Sequence, residues 1–318
     1  MRSAADDATR RRARAWPLAS LVMLLLALLA ACAPEAKGAR TGKVRVAATT
    51  GMVADLAKRV GGDRVEVDAL MGPGVDPHLF TASPSDLERL RAADLVLYSG
   101  RGLEGKMGDI FTSLARKKPV FAVTERIADD RLLSPPELQG HFDPHVWFDV
   151  ALWADTLPVV AEALSEVDPD RAAEYRARAD AYRTELQLLH DEVRAALATV
   201  PKERRVLITS HDAFRYFGRA YDLEVRGLQG VSTVQDAGVR DVQDLATLIA
   251  ARKIKAIFVE TSVSEAAIRA VQHAAKDKGQ DVAIGGRLFS DAMGDRPPED
   301  TYPGMVRANV KTIVEALR

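Results

Sequence analysis

Two hydrophobic rhythms alternate along the chain from Lys43 to Arg318. Short apolar runs of strand length, "KVRVAATT", "DRVEVDAL", "ADLVLYSG" and "KPVFAV", are separated by helical stretches. The helix "GMVADLAKRVGG" is stopped by two glycines. The helix "SPSDLERLRAAD" opens with Ser83 as cap and Pro84 at its first position, where no backbone N–H is needed. After a helical interval the alternation resumes. "RRVLITS", "LEVRG", "IKAIFVE" and "DVAIGG" read as strands, and "HDAFRYFGRAY", "VRDVQDLATLIAARK", "SEAAIRAVQHAAKDKG" and "MVRANVKTIVEAL" as helices. Strands in regular alternation with helices predict mostly parallel sheets covered on both faces, an α/β fold.

The interval between the two alternating stretches is helical. "DVALWADTLPVVAEALSEV" contains Pro158 and is expected to kink or split there. A second helix follows, with Asp168 expected as cap and Pro169 at its first position. In it Tyr175, Tyr182, Leu186, Leu189, Val193 and Leu197 recur at helical spacing, one apolar stripe on a helix of about thirty residues. A helix of that length can serve two lobes. The expected division is residues 43–165 for an N-terminal lobe, 166–203 for the linking helix and 204–318 for a C-terminal lobe.

The first 31 residues follow another pattern. Arg10, Arg11, Arg12 and Arg14 precede an apolar run from Leu18 to Ala30, too short for a comfortable membrane span and suited to an export signal. The run ends in "LAAC", small residues ahead of Cys32, as in a bacterial lipoprotein cleavage box. A lipid on Cys32 would hold the protein at a membrane outside the cytoplasm. Residues 32–42 then read as a flexible tether. Residues 1–31 carry five Arg and two Asp, so the remainder has a formal charge of about −4 against −1 for the whole chain. That balance gives no support to nucleic-acid binding. Cys32 is the sole cysteine, which excludes disulfides and thiolate metal sites from the processed chain. Any metal must be held by nitrogen and oxygen.

The chain has six histidines, and two lie in the same tripeptide: Asp-Pro-His in "GVDPHLF" and again in "HFDPHVWFD". Proline fixes its own φ and drives the preceding residue into extended geometry, so His78 and His145 leave stiff loops. His211 in "ITSHDAF" and Asp291 in "GGRLFSDAMG" also follow strands. Ligands of open α/β sheets gather beyond the carboxyl ends of strands, so a cleft between two lobes would bring these four together. Three neutral imidazoles and one carboxylate leave a bound divalent ion with a net charge of about +1. Zinc accepts that set tetrahedrally. Manganese asks for more oxygen, which a bidentate Asp291 could partly supply; the donor set alone leans to zinc. Asp76 or Asp143 could orient a ring through its second nitrogen, although an Asp in a turn more often bonds its own backbone. Glu260, at the end of a strand, is either such an outer partner or a structural cap. His141 lies four residues before His145 and could assist capture. His190 and His273 fall within helices among charged residues and read as solvated. Trp147 and Phe148 read as packing.

Taken in order behind the cleavage box, "GVDPHLF", "FDPHVWFD", "TSHDAFRYF", "GLQGVST" and "LFSDAMG" resemble the zinc/manganese-binding receptor lipoproteins of bacterial ABC importers. The resemblance spans about residues 43–318. It implies two α/β lobes joined by a long rigid helix, with the metal held in the cleft by His78, His145, His211 and Asp291. It implies a monomeric, extracytoplasmic receptor partnered by a permease and its ATPase. The chain has no phosphate-binding G-x-x-x-x-G-K-[ST] loop of its own. Members with glutamate at the position of His211 are associated with manganese. Dedicated zinc members often carry a His-rich loop, which residues 126–140 lack, so the resemblance leaves zinc against manganese open. A zinc hydrolase is the competing class, but four protein donors leave no coordination position for water, and H-E-x-x-H is absent. A lipid-anchored adhesin is a third class, with no repeat array or basic patch to support it.

Overall fold

The first sheet has the order β2-β1-β3-β4 and is parallel throughout, formed by Val44–Ala48 (β1), Val65–Ala69 (β2), Leu95–Tyr98 (β3) and Val120–Ala122 (β4). The computed structural model describes residues 42–318, so the export signal, the cleavage box and Cys32 lie outside the described residues. β1 carries Val44, Val46 and Ala48, all buried, on one face of the sheet, where they pack with helix α1 (Gly51–Gly61). Thr50 caps α1 by accepting the Val53 N–H. Helix α2 (Pro84–Ala92) starts as the sequence indicates. Ser83 Oγ accepts the Asp86 N–H and the Asp86 carboxylate accepts the Ser83 N–H, a reciprocal capping box. Helix α3 (Gly108–Ala115) precedes β4.

The proline expectation holds. Helix α4 (Val150–Trp153) passes through one 3₁₀ turn and restarts as α5 (Leu157–Val167), with Pro158 in its first turn. The long helix, α6 (Ala172–Ala198), has 27 residues, about 40 Å at 1.5 Å per residue. Every member of its predicted stripe is buried. Its cap differs from expectation. Asp168 opens a 3₁₀ turn, Pro169–Arg171, and gives α6 no side-chain cap. Its buried carboxylate accepts the Tyr175 hydroxyl at 2.7 Å and the Arg64 guanidinium at 3.2 Å, partners that compensate a desolvated charge better than one backbone N–H.

The second lobe contributes Val206–His211 (β5), Arg215–Tyr221 (α7), Glu224–Gln229 (β6), Val239–Arg252 (α8), Ala256–Glu260 (β7), Glu265–Asp277 (α9), Ala283–Leu288 (β8) and Tyr302–Leu317 (α10). β5 pairs with β6 and β7 with β8, both parallel, and β5 lies beside β7. Helix α6 packs on α1 and α5 of the first lobe and on α7 and α10 of the second. One hydrophobic cluster therefore runs through both lobes, with Leu56, Leu164, Leu186 and Ile313 all fully buried in it. Leu186 sits at the centre of that shared spine. Leu186→Ala is expected to lower the unfolding free energy by about 2–5 kcal/mol, read from urea denaturation of metal-free protein.

Candidate metal centre

Each of the four candidate donors sits where a strand or its following loop delivers it. His78 follows β2 in a loop shaped by an Asx turn, in which Asp76 Oδ1 accepts the His78 N–H at 2.8 Å. Gly74, with φ +73°, brings this loop close to the second lobe: a Cβ there would lie 3.4 Å from the Thr261 carbonyl oxygen. His145 ends the long connection after β4. His211 is the last residue of β5. Asp291 lies three residues beyond β8, on a segment held by Asn309 of α10, which donates to the Phe289 carbonyl at 2.7 Å and accepts its N–H at 2.9 Å.

The structure brings the four together. One candidate atom from each lies within 4.8 Å of all the others. His145 Nε2 is 3.3 Å from His78 Nε2, 3.4 Å from His211 Nε2 and 3.4 Å from Asp291 Oδ1. His211 Nε2 is 3.3 Å from Asp291 Oδ2, and His78 Nε2 is 4.0 Å from it. A tetrahedron with about 2.0–2.1 Å from centre to corner, the usual zinc–imidazole distance, has edges of about 3.3–3.4 Å. With Asp291 Oδ2 as the fourth corner, the His145–His78, His145–His211 and His211–Asp291 separations match that edge, and the His78–Asp291 edge is wider. His145, His211 and Asp291 are at most 1% exposed and His78 is 5% exposed.

Two of the rings are aimed by carboxylates. His145 Nδ1–H donates to Asp143 Oδ1 at 2.8 Å, and the same oxygen accepts the His145 N–H at 2.9 Å. His211 Nδ1–H donates to Glu260 Oε2 at 2.5 Å, while Glu260 Oε1 accepts the His211 N–H at 2.8 Å. Each bond fixes the ring's orientation and turns Nε2 into the nest, ready to coordinate once its proton is gone. The second Asp-Pro-His thus does what its sequence suggests, and Asp143 also bonds its own turn. The first does not: Asp76 holds the His78 backbone, and its other oxygen accepts the Thr233 hydroxyl at 2.5 Å. Glu260, left between two roles by the sequence, is the outer partner of His211.

The charges are strongly coupled. Burial depresses His78 to about 4, so its ring is neutral at ordinary pH. Burial would also depress His145, but the charge and hydrogen bond of Asp143, with Asp291, raise it to about 9. His211 follows the same logic: burial opposes protonation, Glu260 and Asp291 outweigh it, and its pKa lies well above the usual imidazole range. Burial disfavours ionised Asp291, yet His211 and His145 hold it well below the usual carboxylate range. Both Asp291 oxygens are buried without a hydrogen-bond partner. A buried carboxylate is costly unless positive charge faces it; here the His145 and His211 rings supply that charge, and the donor set fits a divalent ion in their place.

The remaining histidines stay outside this group. His141 and His273 are exposed. His190 is a correction: it is not solvated but 5% exposed, with Nδ1 3.1 Å from the Tyr221 hydroxyl and Nε2 2.5 Å from Arg194. It lies on the stripe of α6, one residue beyond Leu189, where α7 covers it. Trp147 is a wall residue, as expected. It packs edge-on to His145 at 5.2 Å, and its Nε1–H donates to the Ser290 carbonyl at 3.1 Å.

Two α/β lobes on one spine helix, with a buried nitrogen and oxygen nest between their strand ends, define a solute-binding protein of the metal-receptor class. The family model of ZnuA, the zinc-uptake complex component A, periplasmic, matches residues 46–316, and the chain belongs to that family. Its members are binding components, not enzymes. The chain is 45% identical over 303 residues to the manganese-binding lipoprotein MntA of Bacillus subtilis, covering 95% of this chain and 99% of that protein. It is 49% identical over 280 residues to the zinc-binding protein TroA of Treponema pallidum, covering 88% and 90% respectively. The solved structure of that periplasmic zinc-binding protein superposes with a TM-score of 0.84 over 87% of this chain and 99% of that one. A metal ABC transporter substrate-binding lipoprotein of Streptococcus cristatus, ScbA, is 30% identical over 308 residues, covering 93% of this chain and 97% of that protein.

Proposed function

We propose that this protein is the extracytoplasmic receptor of an ABC importer, which captures one zinc or manganese ion with His78, His145, His211 and Asp291 and delivers it to a permease. The ion is cargo, and the coupled ATPase is a separate protein. The observation that carries this reading is the meeting of four buried donor atoms within 4.8 Å, two residues from each lobe. Asp291 sets the choice of metal. One of its oxygens completes a tetrahedral N₃O site for zinc; both together give the extra oxygen that manganese favours. Supporting the rest of the reading are the cleavage box for a lipid on Cys32, the lipoprotein relatives and the self-contained donor set, which requires no second copy.

The test is a titration of metal-free protein with zinc and with manganese. One equivalent of each should bind, and the double variant His211→Ala, Asp291→Ala should bind neither. Equal binding by parent and double variant would end the proposal. Glu260→Gln keeps the shape beside His211 but removes the carboxylate, and is expected to weaken zinc binding by about 10–100-fold, measured by competition with a chromophoric chelator.

A further inference from the structure

The nest is closed unevenly. On the His145 side the lobes are fused by buried contacts. The Tyr216 hydroxyl donates to the Asp143 carbonyl at 2.8 Å and accepts the Leu133 N–H at 3.0 Å. The Tyr302 hydroxyl donates to the Trp147 carbonyl at 2.6 Å. Phe148 stacks on Phe214 with ring centroids 4.1 Å apart. Trp147, Phe148, Phe214, Tyr216 and Tyr302 sit in the core cluster that runs through both lobes, and separating them would expose apolar surface and strand buried polar groups.

The His78 side is different. Among the described residues, its loop hydrogen-bonds to the second lobe through Thr233 Oγ1 and Asp76 Oδ2. The Asp76 carboxylate divides its two oxygens between lobes: Oδ1 holds the His78 backbone and Oδ2 takes the hydroxyl from across the cleft. His78 is the most exposed of the four donors and lies farthest from Asp291. The residues flanking this clasp are open to solvent: Leu79 is 46% exposed and Val234 61%. Thr233 belongs to the "GLQGVST" stretch, which supplies none of the four donors.

We infer that the nest opens at His78 and that Thr233, through Asp76, is the positioning residue that holds it shut. The ion leaves past His78 while His145, His211 and Asp291 stay together on the fused side. Thr233 touches no metal; it acts by fixing the turn that carries His78. Closure from this side leaves the hydrophobic spine unbroken, so the required motion is a loop movement rather than a lobe rotation.

The inference rests on the proposed metal site, and the experiment separates the two. Zinc release from loaded full-length protein is followed in a stopped-flow instrument with excess chelator dye. Thr233→Val, which keeps the shape and loses the hydroxyl, is expected to release zinc about tenfold faster, in keeping with one lost charge-assisted hydrogen bond. Thr233→Ser should release at the parent rate. In a His78→Ala background the Thr233→Val change should have no further effect, because the clasp acts through that residue. A parent-like rate for Thr233→Val, or an undiminished effect without His78, would overturn the clasp while leaving the receptor intact. Failure of the parent to load zinc would instead remove the receptor reading.

Discussion

His145→Ala is expected to abolish tight metal binding, a loss of about a thousandfold or more for zinc. His145 Nε2 stands at the junction of the nest, 3.3–3.4 Å from His78, His211 and Asp291. Without it the remaining donors include His78 and Asp291, 4.0 Å apart. Zinc held by four protein donors gains about 10–16 kcal/mol; an equal share for one donor is about 2.5–4 kcal/mol, roughly two to three powers of ten. A second cost arises because Asp143, fully buried, loses its ring partner and becomes an uncompensated charge. That charge could also unsettle the fold, so His145→Gln serves as a companion, with an amide N–H that can still face Asp143. Both variants should fail to take up zinc in equilibrium dialysis, and His145→Gln should keep the parent circular dichroism. His190→Ala, which changes a buried histidine outside the nest, should bind zinc like the parent. Uptake by the His145 variants within tenfold of the parent would mean that the nest is not the metal site.

The contrast between His145 and His190 marks how far the sequence could be read. Asp-Pro-His was legible because proline stiffening is local: it depends on two neighbours and needs no knowledge of the fold. The spine of α6 was legible for a similar reason, since six apolar residues at helical spacing define a face whatever covers it. His190 was misread because its burial depends on α7 crossing the edge of that stripe, a tertiary event that leaves no local mark. Asp168 was misread for the opposite reason. Its local signal, an acidic residue ahead of a proline, matches a helix cap, but Tyr175 and Arg64 offered a stronger partnership in the folded chain.

The same distinction separates the two carboxylates that aim the rings. Asp143 is two residues from His145 and was a candidate on sequence alone. Glu260 is 49 residues from His211 and meets it because β5 and β7 lie side by side and end at the same level. The sequence placed Glu260 at a strand terminus but could not say which strand lay next to it. Thr233 is further still from local reading: it lies 157 residues from Asp76, and nothing in the "GLQGVST" pattern points to a partner across the cleft.

Acid should empty the nest, and steeply. In the metal-free protein His145 titrates near 9 and His211 also well above its ordinary value, so both rings are protonated at neutral pH. His78, near 4, is neutral, and Asp291 is ionised. Asp143, Glu260 and Asp291 then face two imidazolium charges. A divalent ion displaces both protons and leaves the charge of the nest unchanged, which limits the electrostatic cost of loading a buried site. Two protons released per ion make the affinity fall by about a hundredfold for each pH unit lost below neutrality. Calorimetric titrations at pH 7 in two buffers of different ionisation enthalpy should return close to two protons per zinc ion. The linkage also fixes the stability of the metal-free form. Raised imidazole pKa values stabilise it fully below the unfolded value of about 6.5, and that contribution is lost as pH rises towards 9. The metal-loaded form carries no such protons, so the gap in Tm between loaded and free protein should widen from pH 6 to pH 9. A proton count near zero, or a gap that narrows over that range, would show that the imidazoles are already neutral before the ion arrives, and that the carboxylates behind them aim the rings without storing the charge.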